Sequence, residues 1–489
     1  MIVKPSRPHK PVTMALPLIC VFVTMFGAPS LSAQVTISVP ADQPAIQAGI
    51  DAAVDGDTVL VSPGTYPEVI DFLGKAITVQ GGGVASTVID ATALGDSVVK
   101  FVSGETLGSV LEQFTITGGS GNTSGLGAGV AGGGILCVGS SPTLRDLIIE
   151  GNTASHGAGV QTFSFSSPAL ERCTIRSNVA TPDGGGFYAR DSCDATLVEC
   201  EIIDNIASTW GGAAYVSSSS PEFTRCILAR NSAPKGSAVI AQATSDPVFD
   251  RCTITANVGS QSGAFFLIDA QSDPPFPVLS SSIVYANFPG EITINGAGNV
   301  LASFSDVAGG WPGAGNINAN PIFQDPAGGD YTLILPSPCI DSGNPASPLD
   351  PDGSIADMGA LPYQPPFDPW LDLSSGLAGS AGVPSLIGTG DLAGNDPVSL
   401  DLSNANPFAL SFLVLGLSNL SIPFKGGVLV PAPDFLLPLT VDGFGVASLS
   451  TLWPVGVPSG ATFYSQFWIS DAAGPAGFAA SNALSGTTP

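Results

Sequence analysis

Asp183, Arg190, Asp191 and Asp194 lie within twelve residues of one another, and Asp204 follows ten further on. Carboxylates gathered in this way can act in pairs as acid and base on a glycosidic bond. Beside a basic residue they can instead hold Ca²⁺. A second acidic group, Asp350, Asp352 and Asp357, resembles a fragment of a calcium loop, although Pro351 and the missing distal Glu break the EF-hand pattern. Tyr188, Trp210 and Tyr215 stand at or near glycine-rich turns, where flat aromatic faces can stack on sugar rings. His156 precedes Gly157 with no nucleophile motif beside it, so it reads as a turn residue. Gly127–Gly132 has the letters of a dinucleotide fingerprint but leads into a strand, where that chemistry needs a helix N-terminus.

These groups need a scaffold, and the sequence supplies one by repetition. Asn152, Asn178, Asn205, Asn231 and Asn257 are separated by 26, 27, 26 and 26 residues. Eight positions before each, and before Asn287, comes Leu144, Leu170, Leu197, Phe223, Phe249 or Leu279; three before comes Ile149, Ile175, Ile202, Leu228, Ile254 or Val284. Such registers mark a repeat array. The apolar runs are too short for paired helices and are punctuated by Gly, Asn and Pro. The expected fold is therefore all-β, a parallel β-helix whose coils stack about 4.8 Å apart. Leu, Ile and Val columns fill its interior, and each Asn caps a turn and hydrogen-bonds along the stack.

Two charged columns fit the same register. Asp146, Arg172, Glu199 and Arg225 alternate in sign, as do Glu150, Arg176, Asp204 and Arg230, which predicts a solvated ladder of ion pairs. Cys173, Cys200, Cys226 and Cys252 form another column at 27, 26 and 26 residues. Ligands drawn up in a line cannot surround zinc, so these read as small buried hydrophobes. The state of Cys137, Cys193 and Cys339 is open at this stage.

Several passages carry a family resemblance. Pro44–Ala53 followed by Gly56–Glu68 resembles the opening of right-handed parallel β-helix proteins of the pectin-lyase-like superfamily, in which an amphipathic helix caps the first coil. Ile46 and Ile50 share one face of that helix, and Asp42 is its expected N-cap. The repeats, as in Cys200–Gly212, are similar to those of chlamydial polymorphic outer-membrane proteins. Ser337–Gly343 with Asp350–Ala360 resembles the closing segment of bacterial surface β-helix proteins. The resemblance implies lyases or hydrolases among the relatives, acting through carboxylates on the coil surface. It specifies fold more strongly than function.

The whole chain has 489 residues, 44% hydrophobic and 11% charged, with a formal charge of -26. That charge disfavours nucleic acid and anionic membrane surfaces as partners. Residues 1–33 read as a signal peptide: Lys4, Arg7 and Lys10 precede a short apolar stretch and the small residues Ser30, Ser32 and Ala33. No transmembrane segment is expected after it, so a secreted, extracellular or cell-surface protein is expected. The β-helix is expected over 34–363, and a C-terminal β-sandwich over 364–489 after the prolines at 362, 365, 366 and 369. That module resembles C-terminal modules of exported planctomycete proteins, and attachment or carbohydrate binding is its expected role. The leading expectation is a scaffold that binds glycans or surface partners without catalysis. The alternative is a polysaccharide lyase or glycoside hydrolase using Asp183, Arg190, Asp191, Asp194 and Asp204.

Overall fold

The computed structural model describes residues 34–121, 132–269, 273–364 and 368–489. The expected signal segment and all but the last residue of Gly127–Gly132 lie outside these. The chain divides into two compact units after Pro362.

The first unit is built of three parallel sheets of 11, 10 and 9 strands, called here A, B and C. A complete coil contributes one short strand to each sheet, so the inner strands pair with their equivalents in the coils before and after. In sheet A, Leu144, Leu170, Leu197, Phe223, Phe249 and Leu279 are in register and fully buried. In sheet B, Ile149, Ile175, Ile202, Leu228, Ile254 and Val284 do the same. Similar apolar side chains stack on successive coils, and the Phe223 and Phe249 rings lie 4.7 Å apart. The bend from A to B falls on Asp146, Arg172, Glu199, Arg225 and Arg251, each with φ of 49–52°. A left-handed residue at one fixed place per coil turns the chain without an extra residue.

The asparagine column is a continuous buried ladder. Asn152, Asn178, Asn205, Asn231 and Asn257 each donate through Nδ2 to Oδ1 of the next at 2.9–3.1 Å. The backbone N–H of each donates to the same oxygen. Gly119 N–H donates into one end, and the Glu291 carboxylate accepts from Asn287 at the other.

The helix spans Ile46–Ala52, with Ile46 and Ile50 fully buried as expected. Its N-cap is Ala45 rather than Asp42. Asp42 accepts from Ser38 N–H, and Glu68 closes the helix by accepting the N–H groups of Ile46 and Gln47, both at 2.9 Å. Lys75 Nζ donates to the carbonyls of Ile50, Asp51 and Ala53 at the other end. An anion at the N-terminus and a cation at the C-terminus offset the helix dipole.

The second unit is antiparallel. A six-stranded and a three-stranded sheet share a core of Leu386, Leu400, Leu402, Leu413, Phe467 and Ile469. Among the described residues, no helix is long and apolar enough to cross a membrane.

Candidate functional site

Between sheets B and C the chain makes an extra excursion. Thr153–His156, Val179–Asp183 and Ile206–Ala207 pair as a three-stranded arm that leads into sheet C. Ala154, Ala180, Ala207 and Ala233 form its buried column, and their small side chains let it lie close. Gly157 (φ 58°) and Gly184 (φ 70°) turn it down onto sheet C, where a Cβ on either would come within 2.9 Å of Tyr188.

The arm brings His156, Asp183, Trp210 and Lys235 into one column. This column covers the outer side of sheet C, where Gln161, Tyr188, Tyr215, Ile240 and Phe266 are in register. Tyr188 and Tyr215 stack 4.7 Å apart and are only 2% and 5% exposed. Trp210 stacks on Tyr215 at 6.2 Å, and the edge of His156 meets Tyr188 at 5.2 Å. The expectation that Tyr188 and Tyr215 offer open faces to sugars is therefore corrected, because neighbouring rings and the arm occupy them. Trp210 is half-buried with one face taken.

Asp183 is the unusual member. It is 9% exposed, its Oδ1 is buried without a hydrogen-bond partner among the described residues, and its Oδ2 lies 3.8 Å from His156 Nε2. Burial pushes its pKa up to about 6, against the pull of the Trp210 amide. Burial, and then the charge of Arg190, lower that of His156. Arg190 reaches the Tyr188 hydroxyl and stands 3.5 Å from Asp191. This is a carboxyl and an imidazole that can each take up or release a proton, beside one cation.

The predicted acidic set is thus divided. Arg190 pairs with Asp191 at 3.5 Å and Asp183 lies beside His156, whereas Asp194 and Asp204 join neither. Asp194 sits at the bend from C to A and accepts from Ser220 N–H of the next coil at 2.7 Å. Asp204, at the end of sheet B, is paired with Arg230 through both oxygens. His156, read from sequence as a turn residue, belongs to the cluster. It precedes Asp183 by 27 residues, one coil, and that register is the signal that finds it.

The calcium expectation is also corrected. Asp350 accepts from Arg225 Nη2 at 3.0 Å and from Asp357 N–H at 2.7 Å, while Asp357 accepts from Asp341 N–H. Asp352 instead caps Ser354. Among the described residues, no three potential ligands converge as a metal site, because an arginine and backbone amides occupy these carboxylates.

The link between Arg225 and Asp350 opens a second candidate site. The closing segment packs Tyr331 and Ala360 on Ile227 and Ala229 of sheet B. A cleft of about 620 Å³ remains, lined by Arg172, Glu199, Glu201 and Arg225 on one side and by Pro351, Leu361 and Pro362 on the other. The charge ladder is correspondingly interrupted. Arg172–Asp146, Arg176–Glu150 and Arg230–Asp204 pair at 2.7–2.8 Å, but Glu199 has no ion pair within 4.0 Å among the described residues. All seven described cysteines are free and buried.

The stacked coils define a parallel β-helix protein. More particularly, residues 133–307 match the family described as the right handed beta helix region. No curated protein matches the chain in sequence. Among solved structures, the pectate lyase Pel9A is 14% identical with a TM-score of 0.44, over 68% of this chain and 98% of that one. A pectin methylesterase from Yersinia enterocolitica is 15% identical with a TM-score of 0.30, over 47% and 90%. An alginate lyase from Paenibacillus sp. is 12% identical with a TM-score of 0.25, over 58% and 99%.

Proposed function

We propose that this is a secreted or cell-surface β-helix scaffold that holds a polysaccharide or a surface glycan in the cleft beneath its closing segment, without catalysis. The observation that carries the reading is Glu199. It lines the cleft with no ion pair within 4.0 Å among the described residues, while Arg172 and Arg225 are held by Asp146 and Asp350. A free carboxylate and fixed guanidinium groups can accept from and donate to sugar hydroxyls. The volume suits a small stretch of chain. The formal charge of -26 works against nucleic acid.

One observation favours a second reading, cleavage of a polysaccharide by lyase or hydrolase chemistry. Asp183 keeps an unpartnered buried oxygen beside His156, and such groups collect at sites of proton transfer. Incubation with acidic and neutral polysaccharides, with and without Ca²⁺, separates the two. Retention without release of unsaturated or reducing ends fits the scaffold. Release of such ends that is lost in Asp183→Asn fits the enzyme.

A further inference from the structure

The second unit contains a cavity of about 390 Å³ where its two sheets part. Leu400 and Leu449 come from the three-stranded sheet, Leu415 and Phe463 from the six-stranded one, and Trp370 and Trp453 close the sides. The aromatic members form a connected wall, with Phe463 5.6 Å from Trp370 and 5.2 Å from Trp453.

Polar groups of the wall are engaged within the protein, with one exception. Ser399 Oγ is bonded to Asp401, and Thr451 Oγ1 donates to the Leu452 carbonyl at 3.4 Å. Trp370 Nε1 donates to the Gly390 carbonyl at 3.0 Å. Trp453 Nε1 is buried and has no acceptor among the described residues. An unpaired buried donor is destabilising, and a ligand supplying an acceptor recovers that loss.

These features select a class of ligand. A sugar ring would lose the hydration of several hydroxyls and find one donor in return, so the wall rejects carbohydrate. No cation lines the cavity, and residues 364–489 hold eight Asp against the single base Lys425, so an anion is disfavoured too. Cavities with apolar walls take up apolar molecules rather than water. At about 30 Å³ for each water-sized group, there is room for about a dozen non-hydrogen atoms.

We propose that this cavity binds one uncharged, apolar molecule carrying a single hydrogen-bond acceptor, which Trp453 Nε1 engages. The site is independent of the solenoid and its glycan reading.

The test titrates the full chain at pH 7.5 with the fluorophore 1-naphthylamine, neutral at that pH and small enough for the cavity, then displaces it with decane or 2-decanone, which differ chiefly by one carbonyl. Saturable binding at one site per chain is expected, with 2-decanone the better competitor. Trp453→Phe keeps a ring but removes the N–H. It should weaken 2-decanone about three- to tenfold and leave decane unchanged. Leu449→Trp fills the cavity and should weaken both at least tenfold, with the circular dichroism spectrum confirming the fold. The proposal is overturned by absence of saturable uptake, by equal effects of Trp453→Phe on both competitors, or by displacement with cellohexaose. Sedimentation with phosphatidylglycerol vesicles in the absence of fluorophore uptake would also overturn it, assigning the apolar wall to a membrane surface.

Discussion

Asn205 Nδ2 donates to Asn231 Oδ1 at 3.1 Å, and the same oxygen accepts the Asn205 backbone N–H at 3.0 Å. Asn205 in turn accepts both equivalent bonds from Asn178 and donates to the Ile175 and Ile203 carbonyls. Asn205→Ala leaves several fully buried groups unpaired at once. A loss of about 3 kcal/mol or more is expected in chemical denaturation. Asn205→Asp should cost more at neutral pH, because a carboxylate would face carbonyl acceptors. Its folded pKa would be raised, so stability returns as pH falls toward the unfolded carboxyl value near 4 and is lost as pH rises. A loss under 1 kcal/mol for both variants would show that the ladder is incidental.

The cysteine column invites a second substitution. Cys200 Sγ points to the Leu170 carbonyl of the preceding coil at 3.6 Å, as Cys226 and Cys252 do to Leu197 and Phe223. Two coils beyond Cys226, Ser282 takes the same place and donates to the Phe249 carbonyl at 3.1 Å. A hydroxyl therefore has an acceptor waiting, and Cys200→Ser should cost only about 1 kcal/mol. A loss above 3 kcal/mol in urea unfolding would contradict this.

Ion pairs of similar appearance should differ in weight. Arg172–Asp146 is solvent-facing, so breaking it should cost about 0–1 kcal/mol and less at high salt. Arg225–Asp350 is different, since the Asp350 side chain is 2% exposed. Arg225→Ala leaves that carboxylate buried without its cation, and about 3 kcal/mol should be lost. Thermal unfolding of both variants measures the contrast, and equal losses would refute it.

Asp183 predicts a pH dependence. Its folded pKa, about 6, is above its unfolded value of 3.8. The protonated group is therefore favoured by folding, and stability from it is full below about pH 4 and lost as pH rises through 6. Asp183→Asn should stabilise the chain at pH 7.5 by about 2 kcal/mol, and the gain should vanish near pH 4. His156 works in the opposite sense, since its lowered pKa removes stability as pH falls below that of a free imidazole. The comparison is best made in His156→Gln, and a pH-independent effect of Asp183→Asn would contradict the assignment.

The interior of the solenoid was legible because its period is rigid. Leu170 predicts Leu197 and Phe223, and Asn178 predicts Asn205, since equivalent places on successive coils share one environment. What escaped are relationships that the period does not carry. Glu68 closes the helix from twenty-two residues away, and Arg225 turns from Glu199 to Asp350 across 125 residues. The rings of His156 and Trp210 also cover Tyr188 and Tyr215, a contact that nearness to glycine turns does not reveal. His156 has no partner in the local sequence, and only the coil register sets it beside Asp183.

Glu199→Gln tests most directly whether the cleft around Glu199 binds glycan without cleaving it. Having no ion pair, Glu199 should be replaceable with under about 0.5 kcal/mol change in stability. Isothermal titration of the wild-type chain with a polysaccharide retained in the panel, paired with end-group analysis, should show saturable binding that weakens at least tenfold in Glu199→Gln, with no new ends formed by either. Undiminished binding in Glu199→Gln, or new chain ends produced by the wild type and abolished in Asp183→Asn, would contradict the account.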